Sequence, residues 1–330
     1  MAEGYISPRL QEFSAYYSNR LSYEEVEKLV GRVSGERLLS DQKIGQIVSD
    51  KAQKLSQEMQ EDVRATLSET QEYQLKVNPK VDIYNSEEKE ILLFDDGIQV
   101  KGQKSQRQPL EQERGDKRQG TLKTKTPAVV TDVVLLQRAT VGFEYIAAPI
   151  NQVGSDLLSL SDVIRAKIRQ EYRKETNPLN LVAITDGDRA IRHRLLAIFE
   201  AGVTMILDWY HLCKKLRQLM SMIAVDKVEK LSHLKFLIPQ LWQGKVTVAL
   251  EYLKTQVKVR NQEKWLELIG YLEKHQSEII NYNRRHLVGK TIGSGRMEKG
   301  VDLTVGRRQK KKAISWRPLG SRALSLLRIV

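Results

Sequence analysis

The stretch ILLFDDGIQV, residues 91–100, decides the fold, because an apolar, β-branched run that ends in acidic residues and a glycine is typical of a β-strand. Two similar runs follow closely at 128–137 and 143–150, and two more, at 181–185 and 204–208, are separated by helix-type patterns. Closely spaced strands favour antiparallel pairing, whereas strands joined by helices favour parallel crossovers. The sequence therefore predicts an α/β fold built on a mixed five-stranded sheet with flanking helices.

Before this sheet, residues 8–80 have the apolar spacing of helices. Ser22 followed by Glu25 forms a capping box, which predicts the start of a helix, and a second amphipathic segment begins after a break at Gly35. Two helices joined by a tight turn suit either a helix-turn-helix unit or an ordinary helical bundle. We assign residues 1–82 to a helical, helix-turn-helix-like DNA-binding region.

After the last strand, residues 214–287 show helical apolar spacing throughout. This predicts an all-helical segment, 214–287, between a first α/β part, 83–213, and a last part, 288–330. The last part opens at a Gly/Ser break and continues as a basic helix and tail.

Positive charge is concentrated in two places of this 330-residue chain, whose net charge is +13. Residues 290–330 hold eleven basic residues against two acidic ones, a net charge of +9. The stretch 101–126 holds eight basic residues against three acidic ones and lacks apolar periodicity, so we predict a mobile basic loop over 102–127. An excess of positive charge points to a polyanion such as nucleic acid.

Composition excludes several classes of protein. The hydrophobic fraction of 41% is too high for a disordered chain, and no apolar run is long enough for a membrane helix or a signal peptide. A single cysteine, Cys213, excludes disulfides and cysteine-rich metal sites. We expect a cytoplasmic protein that is associated with the nucleoid when it is bound to DNA.

Two carboxylates stand where predicted strands end, Asp96 in LLFDDG and Asp186 in VAITDG. Asp-Gly is also a common turn signal, but ligand sites of α/β folds lie at strand ends, and two facing carboxylates repel each other unless a cation intervenes. Glu298 is one of only two acidic residues in the last basic segment and supplies a third oxygen ligand. Three such carboxylates suit two-metal phosphoryl transfer with Mg²⁺, although Glu298 is also placed to pair with a neighbouring cation. Asp95 competes with Asp96, because alternation places the two on opposite faces of the strand.

At this point the sequence resembles a known family. Its motifs are similar to those of bacterial insertion-sequence transposases that have an Asp-Asp-Glu triad, near the ISKra-type and Mutator-like groups. The resemblance spans about residues 8–330 and is carried by FDDGIQVK (94–101), TDVVLLQ (131–137), ITDGDRAI (184–191), ILDWYHLCKKL (206–216) and GSGRMEKGVDLTVGRRQKKKAISWRPLGSRALSLLR (293–328). It implies a ribonuclease H-like catalytic domain, in which a helical insertion separates the second aspartate from the glutamate.

The resemblance also implies functional residues. Asp96, Asp186 and Glu298 are the implied catalytic triad and would hold two Mg²⁺ ions, for which Mn²⁺ would substitute. Asp208 and His211 match a further family motif and would support the site, although Asp208 is equally well explained as a helix N-cap. Trp316 either stacks on a base or packs in the core. The expected DNA-binding residues are Arg296, Lys299, Arg307, Arg308, Lys310, Lys311, Lys312, Trp316 and Arg317.

The implied activity is metal-dependent cleavage of double-stranded DNA at the element's ends, followed by transfer of the freed strand to target DNA. The implied assembly is a homodimer or higher oligomer on DNA, with no membrane partner and no small-molecule cofactor. The chain departs from the family because it lacks a cysteine-rich zinc segment, ends at LLRIV, and carries Ala313-Ile314 in place of the more usual Gly-Met. We therefore expect a shortened copy. Two alternatives stay open: a DNA-binding remnant without catalysis, and a structure-selective nuclease of the same fold.

Overall fold

The computed structural model describes residues 5–68, 76–103, 127–310 and 314–329. A single five-stranded sheet forms its centre, in the order β3-β2-β1-β4-β5. The strands are β1 Ile91–Lys101, β2 Ala128–Gln137, β3 Phe143–Ile146, β4 Leu181–Thr185 and β5 Val203–Leu207. β2 pairs antiparallel with both β1 and β3, whereas β1, β4 and β5 are parallel. The predicted mixed α/β sheet is confirmed, and only β3 is shorter than its sequence pattern.

Helices precede the sheet, connect its parallel strands and follow it. Before the sheet lie α1 Pro8–Ser18, α2 Tyr23–Ser34 and α3 Asp41–Ser68. Between strands lie α4 Leu160–Glu171 and α5 Arg189–Phe199. After β5 lie α6 Trp209–Ile223, α7 Lys227–Trp242, α8 Val246–Thr255, α9 Gln262–Lys274, α10 Tyr282–Leu287, α11 Gly295–Val301, α12 Arg307–Gln309 and α13 Pro318–Ile329. A π-helical turn, Asp302–Gly306, joins α11 to α12.

The sheet separates two hydrophobic clusters, because successive side chains of a strand point to opposite faces. Phe94 and Ile98 of β1 face a cluster that also takes in α6 and α11, whereas Leu93 faces a cluster that takes in α4 and α5. The inner strand β4 is buried along its whole length, as expected for a parallel strand covered on both faces. This layering fixes which face each acidic side chain of the sheet can reach.

The N-terminal helices follow the local signals of the sequence. Ser22 and Glu25 form the predicted capping box, and Gly35 ends α2 in a left-handed conformation with φ of 80°. α3 is longer than its pattern suggested and packs against α4 and α13. Residues 5–68 hold nine basic and ten acidic side chains, so the excess positive charge lies elsewhere. DNA binding by this region stays a prediction.

The predicted helical segment 214–287 is helical from α7 to α10. Its first residues belong to α6, which begins at the end of β5 and runs without interruption across residues 213 and 214. The division of the chain into domains stays a prediction. The predicted basic loop falls mostly on residues 104–126, which lie outside the described residues. Within the described ranges, no helix combines the length and the apolar character needed to cross a bilayer.

Candidate metal and DNA site

Asp96 and Asp186 occupy equivalent positions on neighbouring parallel strands. Phe94 of β1 pairs with Ile184 of β4, and each aspartate stands two residues beyond its member of that pair. Both therefore point to the face that α6 and α11 cover. Burial raises the pKa of the Asp96 carboxyl above its ordinary value, and the charge of Asp186 raises it further. The site thus brings together two carboxylates whose charges repel each other.

Asp95 points to the other face, towards α5. Its buried side chain lies 3.4 Å from the guanidinium of Arg194, which also pairs with Asp132 at 2.8 Å. The pKa of Asp96 responds to Asp186 more than to any other charge, whereas the pKa of Asp95 responds most to Arg194. Asp96, and not Asp95, therefore lies on the same face of the sheet as Asp186, as its predicted role as a metal ligand requires.

The buried Asp95 makes the stability of the metal-free protein depend on pH. Burial raises the pKa of its carboxyl to about 7, even though Arg194 lowers it. The folded state therefore binds the proton more tightly than the unfolded state, so the contribution is full below about pH 4 and is lost as the pH rises to about 7. We expect the free energy of unfolding of the wild type, relative to Asp95→Asn, to fall by up to about 4 kcal/mol over this range.

Urea unfolding of both proteins in a chelating buffer at several pH values measures this difference. Groups distant from Asp95 titrate equally in both proteins and cancel in the comparison, so the difference reports on Asp95 together with the acidic groups that interact with it, Asp132, Asp96 and Asp186. A difference between the two proteins that does not change between pH 4 and 7 would show that Asp95 stays ionised.

Glu298 lies on α11, and its side chain is outside the described part of the structure. Contacts of neighbouring residues place its helix against the sheet. Met297 of α11 is buried in the cluster on the Asp96 face, and α11 contacts β1. The segment before it is attached to the end of β5, because Trp209 donates a backbone hydrogen bond to the Ile292 carbonyl at 3.2 Å. The helix that carries the third expected ligand therefore packs beside Asp96.

Asp208 forms hydrogen bonds with three elements of the site: the end of β4, the start of α6 and the segment before α11. Its backbone N–H donates to the Thr185 carbonyl at 2.8 Å, and its buried carboxylate accepts hydrogen bonds from the backbone N–H groups of His211 and Ser294. Burial alone would raise the pKa of Asp208, but hydrogen bonds from the side chains of His211 and Ser294, together with the two from their backbone N–H groups, outweigh it and lower the pKa to about 2. Asp208 is thus both the N-cap of α6 and the anchor of the segment that leads into α11.

Removal of this anchor is expected to be costly. In Asp208→Ala, α6 loses its N-cap, about 1–2 kcal/mol, and the buried Ser294 N–H loses its acceptor, about 1–3 kcal/mol. We expect the free energy of unfolding, measured by urea denaturation, to fall by about 2–4 kcal/mol.

A matched control is Ser7→Ala, which removes the exposed N-cap of α1 and its hydrogen bond from Leu10 at 3.2 Å. It is expected to cost about 1 kcal/mol or less, since its amide stays solvated. Equal losses in the two variants would show that Asp208 acts only as a local cap.

His211 and Lys310 both lower the pKa of Asp96, so both place positive charge near the carboxylate pair. His211 lies in the first turn of α6, with Nδ1 3.7 Å from the Asp208 carboxylate. Lys310 is exposed and directly follows α12. The expected supporting residues Asp208 and His211 are therefore found next to the expected metal ligands.

The other expected DNA-binding residues fall into three groups. Exposed side chains are those of Arg296, Lys299, Arg307 and Arg317. Three of these make local contacts, because Arg296 lies over the Phe143 ring, Arg307 pairs with Asp302 and Arg317 donates to Gln103. Lys311 and Lys312 lie outside the described residues.

Arg308 and Trp316 form the third group, and their placement corrects the sequence-based expectation. They are only 5% and 7% exposed, and the guanidinium lies 4.9 Å from the centre of the indole ring. Arg308 also donates to the Ser18 carbonyl at 3.1 Å. The alternative of core packing therefore holds for Trp316, and neither side chain belongs to the surface that a DNA strand can contact.

A buried network that the sequence did not reveal lies over the Asp186 turn. His275, only 1% exposed, has Nδ1 2.6 Å from Glu278, which also pairs with Arg192 of α5. Gly187 adopts a φ of +86°, and a Cβ atom there would lie 2.9 Å from the His275 ring. The end of α9 is therefore packed directly on the turn that presents Asp186.

Within the part of the chain that the structure describes, no group of three or more His, Cys, Asp or Glu side chains could hold a metal ion. The Glu298 side chain lies outside that part, so the candidate ligands within it are the pair Asp96 and Asp186. No protein-family model, no curated protein and no solved structure matches the chain.

Proposed function

We propose that this protein is a DNA transposase with a ribonuclease H-like core, which cleaves and joins DNA strands by means of Asp96, Asp186 and Glu298. The observation that carries the proposal is the in-register placement of Asp96 and Asp186 beyond the last β1–β4 pair, on the face that α11 covers. Two carboxylates held side by side in this way are costly unless a cation lies between them. The motif resemblance indicates the reaction, DNA cleavage and strand joining, and the register of β1 and β4 supports it because it brings Asp96 and Asp186 to one face of the sheet.

The residues present fit divalent metal ions. Burial and, after it, repulsion by Asp186 raise the pKa of Asp96, and a bound cation would relieve that repulsion. Carboxylate oxygens are the ligands that Mg²⁺ prefers, with Mn²⁺ as a substitute. Asp96 and Asp186 would hold the ions, and Glu298 would complete the set from α11. When bound, such ions activate the attacking oxygen and stabilise the leaving oxygen of a phosphodiester.

Other residues near the carboxylates would position the helices of the site and bind the DNA. Asp208 fixes the start of α6 and the segment before α11, so the two helices on either side of the carboxylates are held together. Lys310 and the exposed cations of the last 41 residues lie on the same part of the chain as Glu298 and would attract the phosphate backbone. The protein would act on double-stranded DNA as a dimer or larger assembly.

The two alternatives predict different products. A remnant without catalysis would bind DNA in a salt-dependent manner but would not cut it. A structure-selective nuclease would cut branched or hybrid substrates and leave the ends unjoined. The proposed transposase would cut at the element's ends and then join the freed 3′ end to a second duplex.

The test is incubation of the wild-type protein with duplexes that carry the element's ends, a target duplex, and Mg²⁺ or Mn²⁺. The transposase proposal predicts both cut and joined products, which strand-specific labelling resolves. Cut products without joined ones would favour the nuclease, and binding without cutting would favour the remnant.

A further inference from the structure

One face of α6 is exposed from the first turn, beside the candidate metal site, to the last turn. Tyr210, Lys214, Arg217 and Ser221 are all exposed, and their spacing of four, three and four residues places them on one side of a helix. At 1.5 Å per residue, this face extends about 16 Å from Tyr210 to Ser221. That length corresponds to about five nucleotides of a stacked DNA strand, at an axial rise of 3.4 Å each.

The face starts at the candidate metal site. Tyr210 follows Asp208 by two residues and precedes His211, which acts on Asp96. Tyr210 is 60% exposed, and its ring packs against Gly293, where a Cβ atom would lie 2.5 Å from Cδ2. Gly293 therefore leaves room for the ring beside the Asp208 segment, while more than half of the residue's surface stays open to solvent.

The cations of this face have no acidic partner within the described ranges. No ion pair is formed there by Lys214 or Arg217, whereas the adjacent Lys215 pairs with Glu267 at 2.6 Å. A third cation joins at the far end, because Arg260 donates to the Ser221 carbonyl at 3.4 Å. An aromatic platform followed by unpaired cations is the combination that binds a nucleic acid strand.

We propose that this face of α6 is the path of the DNA strand that leaves the metal site. Tyr210 stacks on an unpaired base next to the cleaved phosphate, and Lys214, Arg217 and Arg260 contact the phosphates that follow. The proposal rests on the proposed function and adds to it the position of the strand and the residue that recognises its separated end.

The test uses a short DNA duplex with a single-stranded overhang and 2-aminopurine at the first unpaired position, in EDTA so that no cleavage occurs. Full-length Lys214→Ala and Arg217→Ala are each expected to bind it about five- to eightfold more weakly at 0.1 M salt. The slope of log affinity against log salt concentration is expected to become shallower by about 0.7–0.9 in each variant, since one phosphate contact is lost. Tyr210→Ala is expected to bind at least about fivefold more weakly and to leave 2-aminopurine unquenched, whereas Tyr210→Phe keeps both properties.

The matched control is Lys80→Ala, which removes one positive charge from an exposed position far from the metal site. Lys80 lies two residues after Asn78, and its backbone N–H donates to the Asn78 side chain. The backbone N–H of Asn78 bonds to the Leu179 carbonyl before β4 begins, at the end of that strand opposite Asp186. The affinity of Lys80→Ala for the DNA probe is expected to differ from that of the wild type by less than about twofold. Thermal unfolding midpoints of the Lys214, Arg217 and Lys80 variants are expected to match the wild type, since their side chains are exposed. Tyr210→Phe keeps the contact with Gly293 and is the stability-matched reference for Tyr210→Ala.

The outcomes separate the strand path from the proposed function. Wild-type protein that binds and cleaves DNA while the α6 variants bind as tightly as Lys80→Ala overturns the path alone. Weaker binding by the α6 variants in a protein that never cleaves supports the path and overturns the catalysis. Wild-type protein that does not bind the probe overturns both.

Discussion

Asp96→Asn and Asp186→Asn are each expected to lower the rate of metal-dependent DNA cleavage by about a thousandfold or more, since the metal ions supply several kcal/mol of transition-state stabilisation. The same substitutions are expected to raise the free energy of unfolding of the metal-free protein. The pKa of Asp96 is raised by burial and by Asp186, so its ionised form destabilises the folded state above the ordinary carboxyl pKa. Opposite signs for activity and stability are the signature of carboxylates held together for a cation.

Cleavage assays in Mg²⁺ and urea unfolding in EDTA, both at neutral pH, measure the two effects. Asp132→Asn is the matched control, because it removes a carboxylate that pairs with Arg194 on the opposite face of the sheet. It is expected to cleave DNA at close to the wild-type rate. A loss of both activity and stability in Asp186→Asn would indicate that this aspartate is structural.

Arg285→Ala is expected to have the largest effect on stability, a loss of about 3–5 kcal/mol. The guanidinium is fully buried, with two hydrogen bonds to the Glu90 carboxylate at 2.7 and 2.8 Å and others to the Ile83 and Thr291 carbonyls. Its removal leaves the buried Glu90 carboxylate, whose side chain is 6% exposed, with Lys290 as its remaining ion-pair partner. Since Glu90 directly precedes β1, this contact fastens the end of the helical insertion to the sheet.

Urea unfolding of Arg285→Ala, Glu90→Gln and the triple variant Arg285→Met/Glu90→Leu/Lys290→Met measures this contact. Lys290 is included because it pairs with the same Glu90 carboxylate at 2.7 Å and its side chain is mostly buried. Replacement of all three charged side chains by apolar ones is expected to be much less costly than loss of Arg285 alone, because none of the three charges is left without its partner. A triple variant as unstable as the single ones would show that packing around the side chains, and not the ion pairs, holds this segment in place.

The sheet could be predicted because its signals are local. The run LVAIT predicts a fully buried strand, and the structure buries every residue of β4. Alternation along β1 separates Asp95 from Asp96, and the parallel register then places Asp96 beside Asp186. The capping box of α2 is equally local, since its two residues are three apart.

What could not be predicted depends on contacts between distant parts of the chain. The partner of Asp95 is Arg194, which lies 99 residues away, and Arg285 and Glu90 are separated by 195. Arg308 looks like one of several surface cations in RRQKKK, and only the packing of α12 against Trp316 and the N-terminal helices shows that it is buried. Charge density in the sequence therefore predicted a basic segment but not which of its side chains reach the surface.

Titration of the metal-free protein with Mn²⁺, followed by calorimetry, tests the central claim most directly. The account predicts that the wild type and Asp132→Asn bind Mn²⁺, that Asp96→Asn and Asp186→Asn lose this binding, and that Glu298→Gln weakens it. Wild-type protein that binds no Mn²⁺, or binding that is the same in Asp186→Asn, would contradict a metal site at the ends of β1 and β4.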